Sequence, residues 1–485
     1  MISVKPLKAM VVSMALLLLL GACSTVPKVE SFSALDQLLA DPIMQGSLVS
    51  LTVRDADTGA TLYQRNGQTR LLPASSLKLM TTAAAMGVLG PDYRFTTRVL
   101  TNGTLKDGRL EGNLYVRGSG DPSIQAQDYQ QIAADLAAQG IRRISGDLLM
   151  DDTAFDGIRL GADWANDDES ASYAAQISAL TLAPDSDFDA GTVIVAVRAP
   201  ATEGAPLDVS VSPANTLLTV SNQAVVGATN TLSVKREHGN NHLVVTGTLP
   251  TGTNSRKWVS VWEPTRLVAD VFHQALLAQG IKVGGQTLIS VATPPGSRVL
   301  VSHDSLPLAQ LLTPLLKLSN NGMTEVLLKA MGRRTDAAGT AEAGIAAVSG
   351  FFERQGIESS TIIQVDGSGL SRRNLISTQH LTDVLLSVRS QDWFERWYGA
   401  LPIAGNPERM VGGTLRNRLR GTFAANNLHA KTGSMTGVSS LSGYLHSAKG
   451  QPLVFAMIAN NYLADGAEVK RLEDQVVLAL TQWGD

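Results

Sequence analysis

After Gly46 the chain alternates apolar and polar residues through SLVSLTVRDADTGATLYQRNG, two period-two runs about a D-A-D-T-G turn, which predicts a β-hairpin. The spacing changes at Ser75, where a helix is predicted to run to about Leu89 and stop at Gly90-Pro91. The following stretch, RFTTRVLTNGTLKDGRLEGNLYVRGSGDP, is β-rich and punctuated by N-G and D-G turns. Residues 126–139 and 264–280 carry apolar side chains at helical spacing, and between them 186–262 reads mostly as strands broken by Gly, Asn and Pro. Helices return at 307–317, 323–332 and 340–355, followed by two β-like runs, KTGSMTGVSSLSGYLHS and QPLVFAMIANNY, and a last helix over about 467–483. Strands at both ends with helices between them predict one α+β domain whose sheet is closed by the C-terminal part. The β-rich middle would be a long insertion.

Composition narrows the class. Of 485 residues, 44% are hydrophobic and 17% charged, as expected of a globular chain, and the formal net charge of −3 gives no basic surface for nucleic acid. The seven His are scattered, with no H-E-x-x-H pair and no Cys-His cluster, so no metal or other cofactor is expected.

Near the N-terminus Lys5 and Lys8 precede the apolar run VVSMALLLLLG, too short for a comfortable membrane span and suited to a secretory leader. The lone Cys follows in Leu20-Gly21-Ala22-Cys23. This resembles a bacterial lipoprotein signal, which implies cleavage after 1–22, acylation of Cys23 and a tether over 23–35. The expected location is the periplasm or cell envelope, with a lipid anchor in the outer membrane. A plain signal peptide cut near Ala22 is the alternative. With no second Cys, the exported chain needs no disulfide.

Candidate chemistry begins at ASSLKLMT. Ser75 and Lys78 stand at i and i+3 at a helix start, so their side chains can share a face. Ser75 there is either a helix cap or a nucleophile. As a base for it, Lys78 would need its pKa lowered from about 10.4 to about 7–8, by burial or a neighbouring cation, and a second cation is expected nearby. Two later segments favour chemistry. Ser319-Asn320-Asn321 lies in a turn between helical segments, and Lys431-Thr432-Gly433-Ser434 opens a β-run whose glycine would let a substrate backbone approach. In this order S-x-x-K, S-x-N and K-T-G match the motif set of penicillin-binding proteins and serine β-lactamases. No G-x-S-x-G occurs and no His sits in a recognisable elbow, so a His-based serine hydrolase is not expected.

The chain resembles the DD-carboxypeptidase/endopeptidase family of class C low-molecular-mass penicillin-binding proteins, of the penicillin-binding protein 4 type. The resemblance is carried by LPASSLKLMTTAAAMGVLGPDYRF, RGSGDPSI, SGDLLMDDTAFDG, YAAQISALT, LLKLSNNGMTE, VDGSGLSRRNL, LPIAGNPERMVGGTLRNR and AKTGSMTGVSSLSGY, which span almost the whole chain. It implies a β-lactamase-like transpeptidase domain (36–95 and 287–485) interrupted by two nested, β-rich units, one over 96–118 and 186–286 and one over 119–185. It also implies Ser75 as acylated nucleophile, Lys78 as its base, Ser319 as proton relay and Asn321 as holder of the substrate amide. Lys431 would raise the local potential and lower the Lys78 pKa, and Thr432 and Ser434 would meet the substrate carboxylate. The backbone N–H groups of Ser75 and Ser434 would bind the oxyanion. Asp168, Tyr173, Arg372 and Met435 would line a pocket for the free end of a peptidoglycan stem peptide. Asn320, Asp151, Asp152 and Asp366 read as structural.

The implied activity is a serine DD-peptidase that cleaves D-Ala-D-Ala ends or D-amino-acid cross-links and is stalled by β-lactams. The alternatives are a β-lactamase, for which Glu325 lies near the second motif, and a non-catalytic wall-binding or β-lactam-sensing protein. Carboxypeptidase or endopeptidase preference and oligomeric state are left open by the sequence.

Overall fold

The computed structural model describes residues 31–334 and 339–483; the expected leader and Cys23 lie outside them. Its centre is an antiparallel five-stranded sheet with the order Thr61–Arg65, Leu48–Asp55, Pro452–Asn460, Val438–His446, His429–Met435. The N-terminal hairpin is therefore completed by the C-terminal strands, as the sequence pattern predicts.

Both faces of this sheet are covered, which is why its central strands read as nearly unbroken apolar runs. Along Pro452–Asn460 the side chains of Leu453, Phe455, Met457 and Ala459 enter one core, with the Gly466–Thr481 helix and Leu35 and Leu39 of the Ser31–Leu39 helix. Val454, Ala456 and Ile458 enter the other, with the main group of helices. This is the two-residue period of a strand. The Ser31–Leu39 helix begins inside the stretch expected to be a tether.

Lys78–Val88 is the central helix of the second core. Residues 78–86 are all buried, and the small side chains of Ala83, Ala84 and Ala85 let other helices approach from several sides. Around it stand the helices Leu308–Leu318, Asn321–Arg334 and Ala341–Glu353, close to the predicted bounds. Thr378–Ser387 and Phe394–Ala400, not predicted, complete the layer. Where the sheet turns polar residues toward this layer they are paired: Ser50 and Thr52 hydroxyls both meet the Thr378 hydroxyl, at 2.7 and 2.8 Å.

The insertion has its own core, built on the helices Ala126–Ala138 and Pro264–Ala278 and on strands from several segments. Strand pairing crosses the expected unit boundaries. One five-stranded sheet runs Thr287–Ile289, Leu148–Asp151, Leu114–Gly118, Thr96–Thr101, Arg298–Asp304. Asp208–Ser212, Thr192–Arg198 and Asn254–Ser260 form a separate three-stranded sheet.

Candidate active site

The chain enters the site through Pro73 and makes a 3-10 turn, Ala74–Leu77, before the α-helix starts at Lys78. No side chain caps either start, so the Ser75 hydroxyl is not used as a cap. Ala74 is buried with φ 46, in the left-handed region that costs a non-glycine residue about 1–2 kcal/mol. The surrounding sheet holds it there. Asn460 bonds both the N–H and the carbonyl of Leu72, at 2.8 and 3.1 Å. Ser440 Oγ donates to the Pro73 carbonyl at 2.7 Å and meets Ser76 Oγ at 2.8 Å.

Gly433 completes the fit. A Cβ on it would stand 2.3 Å from Ser440 Oγ, 2.8 Å from the Pro73 carbonyl oxygen and 2.9 Å from Ser75 N. The sequence suggested that this glycine lets a substrate backbone approach; in the structure the absent Cβ also makes room for the turn that carries Ser75.

Lys78 reaches from the first helical turn to Ser75 Oγ (3.0 Å), Asn321 Oδ1 (2.6 Å) and the Ser368 carbonyl (2.8 Å). Burial lowers its pKa to about 7, against the opposing pull of the Asp366 and Glu325 carboxylates. The sequence allowed either burial or a neighbouring cation as the cause, and the resemblance implied Lys431. The correction is physical: desolvation of the ammonium is what lowers Lys78, and the repulsion between the two lysines weighs on Lys431. Lys431 is also fully buried and falls well below its ordinary value, first by burial and then by the Lys78 charge. Its ammonium donates to Ser319 Oγ at 2.8 Å and to the Thr432 carbonyl at 2.7 Å.

Ser319 sits at the C-terminal end of Leu308–Leu318 with φ 62, which turns its hydroxyl out of the helix and toward the sheet edge. Asn320 points away, bonding the Phe188 carbonyl, Asp189 and Met323 N. Asn321 opens the next helix and spans two parts of the site, since its Nδ2 donates to the Tyr173 carbonyl at 2.8 Å. Thr432 Oγ1 donates to Thr414 Oγ1 at 2.8 Å.

These groups face a cleft of about 440 Å³ whose lining includes Ser75, Ser319, Asn321, Ser434, Met435, Asp168, Tyr173 and Arg372. The distant predicted segments therefore meet. Tyr173 OH donates to Asp168 Oδ1 at 2.6 Å, and burial together with this bond raises the phenol to about 12. Arg372 Nη2 donates to the Thr436 carbonyl at 2.9 Å, beside Met435.

Several contributors were not foreseen. Asp163, Ala165, Gly369, Leu370 and Thr436 line the cleft, and the Ser368 carbonyl holds Lys78. The signal for Ser368 was present in D-G-S-G: Gly369 has φ +84 and lies so close to Ala74 that a Cβ would be 2.0 Å from its carbonyl oxygen. Asp366 organises that loop, accepting from Gly369 N, Ser371 N, Asn374 Nδ2 and Trp164 Nε1. Glu325 is buried beneath it and accepts from the N–H groups of Gly367 and Ser368. It is committed to the backbone and is no water-activating base at the cleft.

Ser75 bonded to Lys78, and Ser319 bonded to Lys431, are thus two hydrogen-bonded hydroxyl–lysine pairs whose serines face one cleft, an arrangement suited to acyl transfer. Residues 32–483 match the family described as D-Ala-D-Ala carboxypeptidase 3 (S13). The chain is 40% identical to the D-alanyl-D-alanine carboxypeptidase of Actinomadura sp. (strain R39), over 93% of this chain and 84% of that protein. It is 28% identical to D-alanyl-D-alanine carboxypeptidase DacB of Haemophilus influenzae, over 93% of each. The crystal structure of penicillin-binding protein 4 (dacB) from Haemophilus influenzae superposes with a TM-score of 0.81 at 26% identity, covering 94% of this chain and 100% of that one. The same protein complexed with a β-lactam gives a TM-score of 0.74 over 92% and 98%. The chain belongs to the D-Ala-D-Ala carboxypeptidase 3 (S13) family and is a serine-type DD-peptidase.

Proposed function

We propose that Ser75 is the acylated residue and that Lys78, as a neutral amine, is its base. The observation that carries this is the placement of Lys78 Nζ between Ser75 Oγ, Asn321 Oδ1 and the Ser368 carbonyl. An ammonium donates to all three. The amine keeps two donors for Asn321 and Ser368 and turns its lone pair on the Ser75 proton. Ser75 Oγ then attacks the carbonyl carbon of the penultimate D-Ala. The backbone N–H groups of Ser75 and Ser434 receive the oxyanion, a contribution of about 10²–10³-fold per donor.

Collapse breaks the C–N bond. The Ser319 hydroxyl, held by Lys431, gives its proton to the departing amine and regains the one Lys78 took from Ser75, which leaves Lys78 neutral again. Water then attacks the ester, with Lys78 again taking a proton, and frees Ser75. Thr432 and Ser434 are to meet the substrate's terminal carboxylate, with the buried Lys431 raising the potential behind them. A β-lactam presents a comparable amide carbonyl, but the amine freed when its ring opens stays attached to the acyl group, so the acyl-enzyme stalls at the ester.

Asp168, Tyr173, Arg372 and Met435 are proposed to receive the amino-acid side chain at the free end of a peptidoglycan stem peptide, with Asp168 facing its ammonium and Arg372 its carboxylate. Their place in the same cleft as Ser75 supports this. The strand pairing supports dividing the chain into a catalytic unit, 36–95 with about 305–485, and an inserted unit between them. Lipidation of Cys23 and a place in the periplasm are proposed from the leader pattern alone.

Release of D-Ala from a pentapeptide ending in D-Ala-D-Ala tests the assignment: the wild type releases it, and Ser75→Ala does not. Intact mass after penicillin treatment, with peptide mapping, should place one adduct on Ser75. An adduct elsewhere would overturn the assignment. Loss of lipid labelling in Cys23→Ala tests the anchor.

A further inference from the structure

The loop that carries Asp168 and Tyr173 is fastened at its middle by a buried ion pair belonging to the insertion. Glu169, next to Asp168, turns away from the cleft. Its Oε1 accepts from Arg236 Nη2 at 2.9 Å and from Gly239 N at 3.0 Å, and its Oε2 lies 3.2 Å from His238 Nδ1. The Glu169 backbone carbonyl also accepts from Arg236 Nη2 at 2.9 Å and from the Ser260 hydroxyl.

Arg236 has a side-chain exposure of 0%, and its remaining donors go to the carbonyls of Ser260, Glu237 and Asn240. A wholly buried guanidinium with every N–H directed at a fixed acceptor is a rigid mount, because any displacement leaves a desolvated donor unpaired. The strand Ser233–Arg236 that bears it, and Asn254–Ser260 beside it, are far along the chain from every catalytic motif.

Two residues on, an isolated bridge joins Ala171 to Val259, again in that strand. On its other side the loop meets the catalytic unit through Trp164 Nε1 on Asp366 and Asn321 Nδ2 on the Tyr173 carbonyl. One short segment is thus gripped by both units, with the cleft-lining Asp168 and Tyr173 between the grips.

We propose that the Glu169–Arg236 pair is a positioning clamp for substrate selectivity: the insertion uses it to hold Asp168 and Tyr173 where they discriminate the charged end of the substrate side chain. This rests on the reading of Asp168 as the group that faces a substrate ammonium. The clamp touches no reacting atom, so its removal should alter selection among substrates and leave the acyl-transfer chemistry in place.

The test compares two peptides ending in D-Ala-D-Ala, one with a free ammonium on the side chain at the pocket and one with that amine acetylated. In Glu169→Ala the ratio of kcat/KM for the two should fall about tenfold or more, the worth of one charged hydrogen bond, while the acetylated peptide and penicillin acylation keep wild-type rates. Asp168→Asn serves as the reference and should collapse the same ratio. If Asp168→Asn collapses the ratio and Glu169→Ala does not, the clamp is overturned and the pocket stands. If Asp168→Asn leaves the ratio unchanged, the pocket reading falls and the clamp with it. An equal loss on both peptides in Glu169→Ala would reduce the pair to a fold support and overturns the proposal. Should Glu169→Ala fail to fold, Ser260→Ala, which removes the hydroxyl bond to the Glu169 carbonyl and the 3.4 Å contact with Arg236 Nη2, is judged by the same ratio: a several-fold drop supports the clamp and an unchanged ratio overturns it.

Discussion

Asn321 Oδ1 lies 2.6 Å from Lys78 Nζ, closer than the 3.0 Å between that amine and Ser75 Oγ. A neutral amide at this point orients the lysine without binding its proton. Replacing it with a carboxylate, Asn321→Asp, puts a negative charge in the same contact. An opposite charge within hydrogen-bond distance raises a lysine pKa by about 1–3 units. Lys78, now at about 7, would be mostly protonated at neutral pH, so the acid limb of penicillin acylation should move upward and the rate at pH 7 should fall about fivefold or more. A pH–rate profile of adduct formation measures this. A limb at its wild-type position would mean that Lys78 is not the titrating base.

Glu325 gives the opposite sign. Its carboxylate raises the Lys78 pKa, so Glu325→Gln, which keeps an oxygen for Gly367 N and Ser368 N, should shift the acid limb to lower pH. Burial and the Asp366 charge push Glu325 itself up to about 7. The folded chain therefore binds more protons than the unfolded one between about 4.5 and 7, and this group's contribution to stability is lost as pH rises through that window. The variant should flatten the pH dependence of Tm over the same interval, which thermal melts at several pH values would register.

Ser319 tests the leaving-group half of the reaction. Ser319→Ala removes the hydroxyl that joins the buried Lys431 ammonium to the cleft. A positioned proton relay contributes about 10²–10⁴-fold, and D-Ala release should fall by that amount while the protein stays folded. Stopped assays of D-Ala beside near-UV circular dichroism separate the two. Release at the wild-type rate would reassign the relay.

What the sequence disclosed was periodic or local. The alternation at 48–65 and the two β-like runs within 431–462, apolar along Pro452–Asn460 because both faces are covered, revealed the sheet. S-x-x-K, S-x-N and K-T-G pointed to the candidate site, because each packs its side chains into four residues or fewer. What it hid depends on contacts between distant segments. The sequence named burial as one of two ways to lower the Lys78 pKa but could not choose it, because burial is made by distant segments. Ser368 acts through a backbone carbonyl, to which residue identity is blind. The boundary between units was obscured because Leu148–Asp151 and Thr287–Ile289 pair in parallel although 135 residues separate Asp151 from Thr287 on the chain. Glu169 stood in a run of acids and differed from its neighbours only in the partner it meets.

Gly433 shows how a motif residue can be required for a reason other than the expected one. The three atoms nearest an added Cβ are the Pro73 carbonyl oxygen, Ser75 N and the Ser440 hydroxyl that bonds the Pro73 carbonyl. Backbone cannot move aside as a flexible side chain can. In Gly433→Ala either the edge strand shifts or the turn does, and Ala74, already in a strained conformation, has little freedom left. Overpacking of this kind costs about 1–3 kcal/mol of stability. The rate should suffer more, since a misplacement of about 1 Å at a nucleophile can cost about 10²-fold. The expected outcome is a folded protein with a modestly lowered Tm, whose acylation by penicillin slows about a hundredfold at saturating concentration. If acylation chemistry were unchanged and only the apparent affinity fell, the glycine would be serving substrate approach, as the sequence had suggested, and the close packing at Ser75 would be incidental.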